Sequence, residues 1–250
     1  MKLLLTSCGI NNGSIHNALV DMLGKSIDEC RALFVPTAIY PLTGGPDMAM
    51  RAMQGKAKSP LCELGWKSLG VLELTALPSI SKEVWAPVIE ASDALLVFGG
   101  DPLYLAYWLS RSGLADHLRT LQREIVYVGV SAGSMAVAGT LALGETFPQP
   151  RKASGEPLTS ESITFNTPEG PHQMTFMTAK GAGFVDFAFI PHAEHPDHPD
   201  ASFANAERWA EKIPVPIYAI DDQTAIRVVG DEVDVISEGR WRRFPHLPPQ

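Results

Sequence analysis

An α/β fold with a mostly parallel sheet covered on both faces is predicted by three observations. Short, continuously apolar runs recur at residues 3–5, 32–35, 94–98 and 125–128. Between them lie segments whose apolar residues are spaced three or four apart, as crossover helices require. Several runs also end directly in small or chemically active residues, the pattern expected at the carboxyl edge of an open sheet, where sites form.

Taken in order, residues 3–5 are a first strand and 6–13 a small polar loop. Ser14 is expected to cap a helix to about residue 23 that buries Ile15, Ala18, Leu19 and Leu23. Residues 32–35 form a second strand closed by Pro36, the loop 41–46 breaks regular structure, and 47–66 can supply a crossover helix. A third strand is expected at 71–74. Val84, Trp85, Val88 and Ile89 have helical spacing, and residues 94–98 then run into Gly99-Gly100-Asp101. Tyr104, Leu105, Trp108 and Leu109 mark a helix, as do Leu114, Leu118 and Leu121. From 144 to 183 the composition turns polar and rich in Pro, Gly, Ser and Thr, which reads as a long inserted loop. Regularity returns with a strand at 185–190 ending in Pro191-His192. A helix at about 202–212 follows, then a strand at 217–220 ending in Asp221-Asp222, and a hairpin turning at 230–232.

A chain of 250 residues with 45% hydrophobic content can bury a large core. One catalytic domain over 1–244 is expected, carrying the 144–183 insertion and a tail at 245–250. A net charge of −8 without a basic run excludes a nucleic-acid surface, and Arg240-Trp241-Arg242-Arg243 reads as the solvated end of a strand. Three scattered cysteines, Cys8, Cys30 and Cys62, fit a reducing compartment rather than a disulfide framework. The opening apolar run stops at Thr6, too short for a signal peptide, and no long apolar span follows. The expectation is a cytoplasmic protein without membrane or nucleic-acid partners, a monomer or homodimer.

The chemistry centres on Gly129-Val130-Ser131-Ala132-Gly133-Ser134, between an apolar strand and a small-residue segment. A G-x-S-x-G turn in that context can present a serine hydroxyl at a sheet edge. The same residues would also suit a structural serine in a glycine-rich turn. Ser131, His192 and Asp222 supply the nucleophile, base and orienting acid of acyl transfer. The N–H of Ala132 and one from the Gly99-Gly100 loop could form an oxyanion hole.

The set GGDPLYL at 99–105, GVSAGS at 129–134, FIPH at 189–192 and AIDDQTAIRV at 219–228 resembles the serine peptidase family of peptidase E, the α-aspartyl dipeptidase, and cyanophycinase. The resemblance implies a three-layer, flavodoxin-like sandwich close to class I glutamine amidotransferases, with serine in place of the elbow cysteine. It also implies catalytic Ser131, His192 and Asp222, with Gly100 and Ala132 as oxyanion donors, no cofactor, and a short peptide as substrate. Aspartate stands here where the family has glutamate, leaving Asp221 and Glu145 as fallback acids. The aspartyl dipeptidases carry a T-R-x-x-R pattern after the histidine. Residues 203–209 here keep the later arginine, Arg208, as the candidate for a substrate carboxylate. Asp101 is the candidate for a free substrate ammonium.

Other readings compete. A cyanophycinase-like enzyme or an esterase could use the same triad, and a binding module could use the same fold without turnover. His192, His195 and His198, with Glu194, Asp197 and Asp200, are dense enough to suggest a metal site. Pro196 and Pro199 interrupt any helix that would align them, so no metal is expected and His195 and His198 read as solvated loop residues.

Overall fold

A computed structural model of the chain describes residues 1–144, 154–155, 157–167 and 170–246. Its strands are β1 (Lys2–Thr6), β2 (Arg31–Val35), β3 (Ser68–Val71), β4 (Ala94–Val97), β5 (Val126–Val130), β6 (Thr140–Leu143), β7 (Pro157–Thr167), β8 (Gly170–Lys180), β9 (Ala188–Ile190), β10 (Ile217–Ile220), β11 (Thr224–Val229), β12 (Glu232–Ser237) and β13 (Trp241–Phe244). The helices are α1 (Gly13–Leu23), α2 (Gly45–Met53), α3 (Lys82–Glu90), α4 (Pro102–Arg111), α5 (Leu114–Thr120), α6 (Ala132–Met135) and α7 (Phe203–Ala210).

Seven strands make the main sheet in the order β12-β11-β1-β5-β4-β2-β3. Its five central and far-edge strands run parallel, and the β11–β12 hairpin joins β1 antiparallel. Apolar residues occupy both faces of β1, β2, β4 and β5, which is why their sequences are continuous rather than alternating. Leu3, Leu5, Leu95, Val97 and Tyr127 pack with Trp85, Leu105, Leu118 and Met135 from α3 to α6. Leu4, Phe34, Leu96 and Val128 pack on the other face with Ile15, Leu19 and Ala49 from α1 and α2. The result is the expected three-layer sandwich with a mostly parallel sheet.

Several boundaries depart from the sequence expectations. The cap of α1 is Asn12, whose side chain accepts a hydrogen bond from the Ile15 N–H at 2.9 Å, and not Ser14. The third strand lies at 68–71 instead of 71–74, because Leu74 is buried as the start of a 3-10 turn capped by Glu73. Val84 and Val88 of α3 are exposed while Trp85 and Ile89 are buried, so only half of that apolar set faces the core. The strand expected at 185–190 is ordered as β9 only from 188, with Val185 bridging Ala138.

The larger correction concerns the inserted stretch. Its described part is a long hairpin, β7 and β8, paired antiparallel with β6. Polar residues on the exposed side of β7 hid the pattern, while Phe176, Met177 and Ala179 of β8 are buried. The intended loop is therefore a sheet. A further small sheet, β13-β10-β9, separates β9 and β10 from the main sheet. With α7 it encloses a third core of Phe176, Ile190, Phe203, Trp209 and Phe244. Arg242 and Arg243 on β13 lie over the Phe203 and Tyr218 rings, so this basic run packs against aromatic faces. Among the described residues, no helix is long and apolar enough to cross a membrane.

Candidate active site

The site forms where the carboxyl ends of two sheets meet: Ser131 follows β5 of the main sheet, while His192 and Asp222 follow β9 and β10 of the small one. Ser131 adopts φ 51°, ψ −112°, a conformation that an L residue occupies only when its surroundings enforce it. Those surroundings are specific. A Cβ at Gly129 would come within 2.8 Å of the Ser134 N, and one at Gly133 would overlap the Val97 carbonyl, so both flanking positions require glycine. The Ser131 N–H donates to the Thr6 carbonyl at 2.9 Å, and the Ser134 hydroxyl donates to the same oxygen at 2.8 Å.

His192 Nδ1 and Asp222 Oδ1 are 2.6 Å apart. Burial pushes the Asp222 carboxyl up. The hydrogen bond from His192 and the charges of His192, His195 and His198 outweigh burial and hold it below the usual carboxylate value. The adjacent Asp221 is engaged elsewhere. Its carboxylate accepts hydrogen bonds from the Gln223 N–H, the Thr224 hydroxyl and the Arg240 N–H, building the turn between β10 and β11 and tying it to β13. Of two consecutive aspartates, only Asp222 reaches the histidine. Glu145, the other fallback acid, lies outside the described residues.

Gly100 has φ +141°, and a Cβ there would overlap the Ala38 carbonyl. The Gly99 position lies against Ser131, a built Cβ falling 3.2 Å from the serine Cβ. Among the described residues, the N–H groups of Gly100 and Ala132 have no hydrogen-bond partner, as the donors of an oxyanion hole should not. The Ser131 hydroxyl likewise makes no hydrogen bond there.

Gly100, Asp101, Ser131 and His192 line one cavity of about 320 Å³. Asp101 is buried in that lining and caps α4 through its hydrogen bond from the Tyr104 N–H. Arg208 is not brought there. It is exposed on α7 and its guanidinium donates to the Thr164 carbonyl of β7, because the turn of α7 that carries it faces the hairpin.

Three residues at the end of β1 and in the loop that follows it hold the site together, and sequence reasoning passed over them as a small polar loop. The buried Ser7 hydroxyl accepts from the His192 N–H at 3.1 Å and donates to the Ile220 carbonyl at 3.1 Å, tying β1 to the ends of β9 and β10. Thr6 anchors the elbow as described, and Asn11 donates to the Asp222 carbonyl at 2.5 Å. Their position directly after a strand was the available signal.

The two further histidines are not solvated loop residues. The His198 ring stacks on His192 with centroids 4.4 Å apart and planes 14° off parallel. Burial, then the charge of His192, holds His198 below its usual value. His195 Nε2 lies 3.8 Å from Asp222 Oδ2. Of the carboxylates counted with them, Glu194 accepts from the Phe203 N–H at the start of α7, Asp197 is exposed with its Oδ2 4.0 Å from His195 Nδ1, and Asp200 lines the cavity beside His192 and His198. Among the described residues, no group of three or more His, Cys, Asp or Glu could hold a metal ion.

The profile of Peptidase family S51 matches residues 3–236. Among solved structures, a protein from Listeria monocytogenes EGD-e provisionally named peptidase E is similar, with a TM-score of 0.61 and 20% identity over 95% of this chain and 98% of that one. A peptidase from an acI-B1 Actinobacterium has a TM-score of 0.59 and 17% identity, over 100% of this chain and 92% of that one. No curated protein matches significantly.

Proposed function

Because the chain belongs to peptidase family S51 and is a serine-type peptidase, we propose that it hydrolyses short peptides as a dipeptidase, with Ser131 as nucleophile, His192 as base and Asp222 as orienting acid. The observation that carries this reading is the 2.6 Å pairing of His192 with Asp222 at the rim of the cavity that also contains the strained Ser131.

With Nδ1 held by Asp222, Nε2 is the ring nitrogen left to accept the Ser131 proton. Ser131 Oγ then bonds to the scissile carbonyl carbon, and the oxygen takes the negative charge facing the Gly100 and Ala132 N–H groups. His192 returns the proton to the leaving amine as the C–N bond breaks, and water repeats the sequence on the acyl-enzyme. The serine–histidine hydrogen bond closes when substrate fills the cavity, as is common in enzymes whose catalytic contacts are loose without ligand. Asp101, in the same lining, is the candidate partner for a substrate ammonium. Action in a reducing, cytoplasmic setting is supported by Cys8, Cys30 and Cys62 all being free thiols.

The test is hydrolysis of a dipeptide panel by the parent and by Ser131→Ala, with labelling of the parent by a fluorophosphonate. Loss of a nucleophilic serine removes turnover by about 10⁴-fold or more, and the label should map to Ser131. Equal turnover by both proteins would assign the chemistry to another residue.

A further inference from the structure

We infer that His198 is a positioning residue for the proposed reaction: its ring fixes the plane of the His192 imidazole while Asp222 holds Nδ1, so that Nε2 stays turned toward Ser131; this rests on the hydrolase reading above. The segment that carries it repeats one unit, His195-Pro196-Asp197 followed by His198-Pro199-Asp200. Proline at the second position of a turn and aspartate at the third favour tight turns over a helix. Those turns are present: the N–H groups of His195, His198 and Ala201 donate to the carbonyls of His192, His195 and His198 at 3.0, 2.9 and 2.9 Å. The coil is closed by the Glu194 N–H on the Ala201 carbonyl at 2.9 Å, and fastened to β10 by the Ala193 N–H on the Ile220 carbonyl at 2.9 Å. It gathers the three rings, with centroids 4.4 Å apart for His192 and His198, 5.7 Å for His195 and His198 and 6.4 Å for His192 and His195.

Backbone strain marks the same segment. Among the described residues, the non-glycine positions with positive φ are Ser131, His192 and Glu194, at 51°, 58° and 64°. Such conformations persist only where the surroundings enforce them, and they gather at functional sites. Two of the three lie in this coil, and what it presents is a face-to-face imidazole pair, 14° from parallel. The pair supplies what the Asp222 contact lacks. A single hydrogen bond at Nδ1 leaves the His192 ring able to pivot about that contact, which would swing Nε2, across the ring, off the line to Ser131 and out of productive geometry. A ring stacked on one face blocks that pivot. His198 also lines the cavity with Ser131 and His192, so contact with substrate is the competing role, and it would act on KM rather than on kcat.

The experiment measures kcat and KM for the dipeptide that the parent cleaves fastest, and the rate of fluorophosphonate labelling at Ser131, in the full-length parent, His198→Leu and His198→Phe, with a thermal midpoint for each. Labelling reports how well His192 activates Ser131 without a peptide in the cavity. His198→Leu keeps bulk but has no ring plane, and it should lower kcat and the labelling rate together by about 10- to 100-fold while KM stays within about threefold. His198→Phe keeps a ring face without the ring nitrogens, and it should hold both rates within about threefold of the parent. If His198→Leu or His198→Phe does not fold, His198→Gln or His198→Tyr takes its place with the same expectation. Parent-like rates in His198→Leu, a loss confined to KM, or a His198→Phe protein as slow as His198→Leu would each overturn the inference, while a parent that cleaves dipeptides and labels at Ser131 leaves the hydrolase intact. A parent that neither labels nor cleaves any dipeptide overturns both.

Discussion

Replacing Asp222 with Asn removes one negative charge at nearly constant shape, which makes it the most direct test of the proposed site. The pair it disrupts is short, 2.6 Å, and largely shielded, with 15% of the His192 and 25% of the Asp222 side chain exposed. When His192 takes the serine proton, an imidazolium forms against this carboxylate. Unit charges about 4 Å apart at an effective dielectric of ~20 interact by about 4 kcal/mol, or about 10³ in rate at 1.36 kcal/mol per tenfold. An amide can also hold the ring in the wrong tautomer, which brings the expected loss to about 10⁴ in kcat. Asp221→Ala is the matched comparison. It deletes three hydrogen bonds in the β10–β11 turn, at a cost of about 1–3 kcal/mol of stability, while leaving the His192 pair in place. Its kcat should fall by about tenfold at most. Both variants are assayed for dipeptide turnover and thermal midpoint. If Asp222→Asn keeps more than about a tenth of the activity, or Asp221→Ala loses as much as Asp222→Asn does, the reasoning that separates the two aspartates is wrong.

Three further outcomes follow from the geometry. Gly100→Ala should lower kcat by about 10²–10³ through the displaced oxyanion donor, whereas Gly24→Ala, at φ 71° with no atom within 4 Å of a built Cβ, should cost only about 1 kcal/mol of stability, read by urea melts, and leave turnover unchanged. His117 is buried against Trp85, and burial, then the Lys82 charge, lowers its pKa below 6.5 despite the opposing Glu90. A lowered histidine pKa stabilises the fold above pH 6.5, and that contribution is lost as pH falls toward the folded value. Denaturant midpoints should therefore drop from pH 7.5 to 5.5, and less so in His117→Phe; an unchanged slope would clear His117 of the effect. Phe34, fully buried and edge-on to Phe98 at 5.6 Å, should lose about 3–5 kcal/mol as Ala in the same melts, with kcat retained in the folded fraction.

The apolar runs at residues 3–5, 32–35, 94–98 and 125–128 could be read as sheet strands because burial on both faces leaves no room for polar residues. The elbow was legible for a similar local reason: two positions that exclude any Cβ must be glycine, and the serine between them stands out. The β7–β8 hairpin was not legible, since β7 is exposed along most of its length and its polar composition is that of a loop. The sequence alone therefore determined the layered α/β class, and it singled out the nucleophile proposed here with a short list of partners for it. Only the tertiary structure decided which of Asp221 and Asp222 faces His192, that Ser7 ties the two sheets together, that Arg208 faces away, and what lines the cavity. Those depend on where separate chain segments meet and on which way a side chain turns at the end of a strand, and neither is encoded in local spacing.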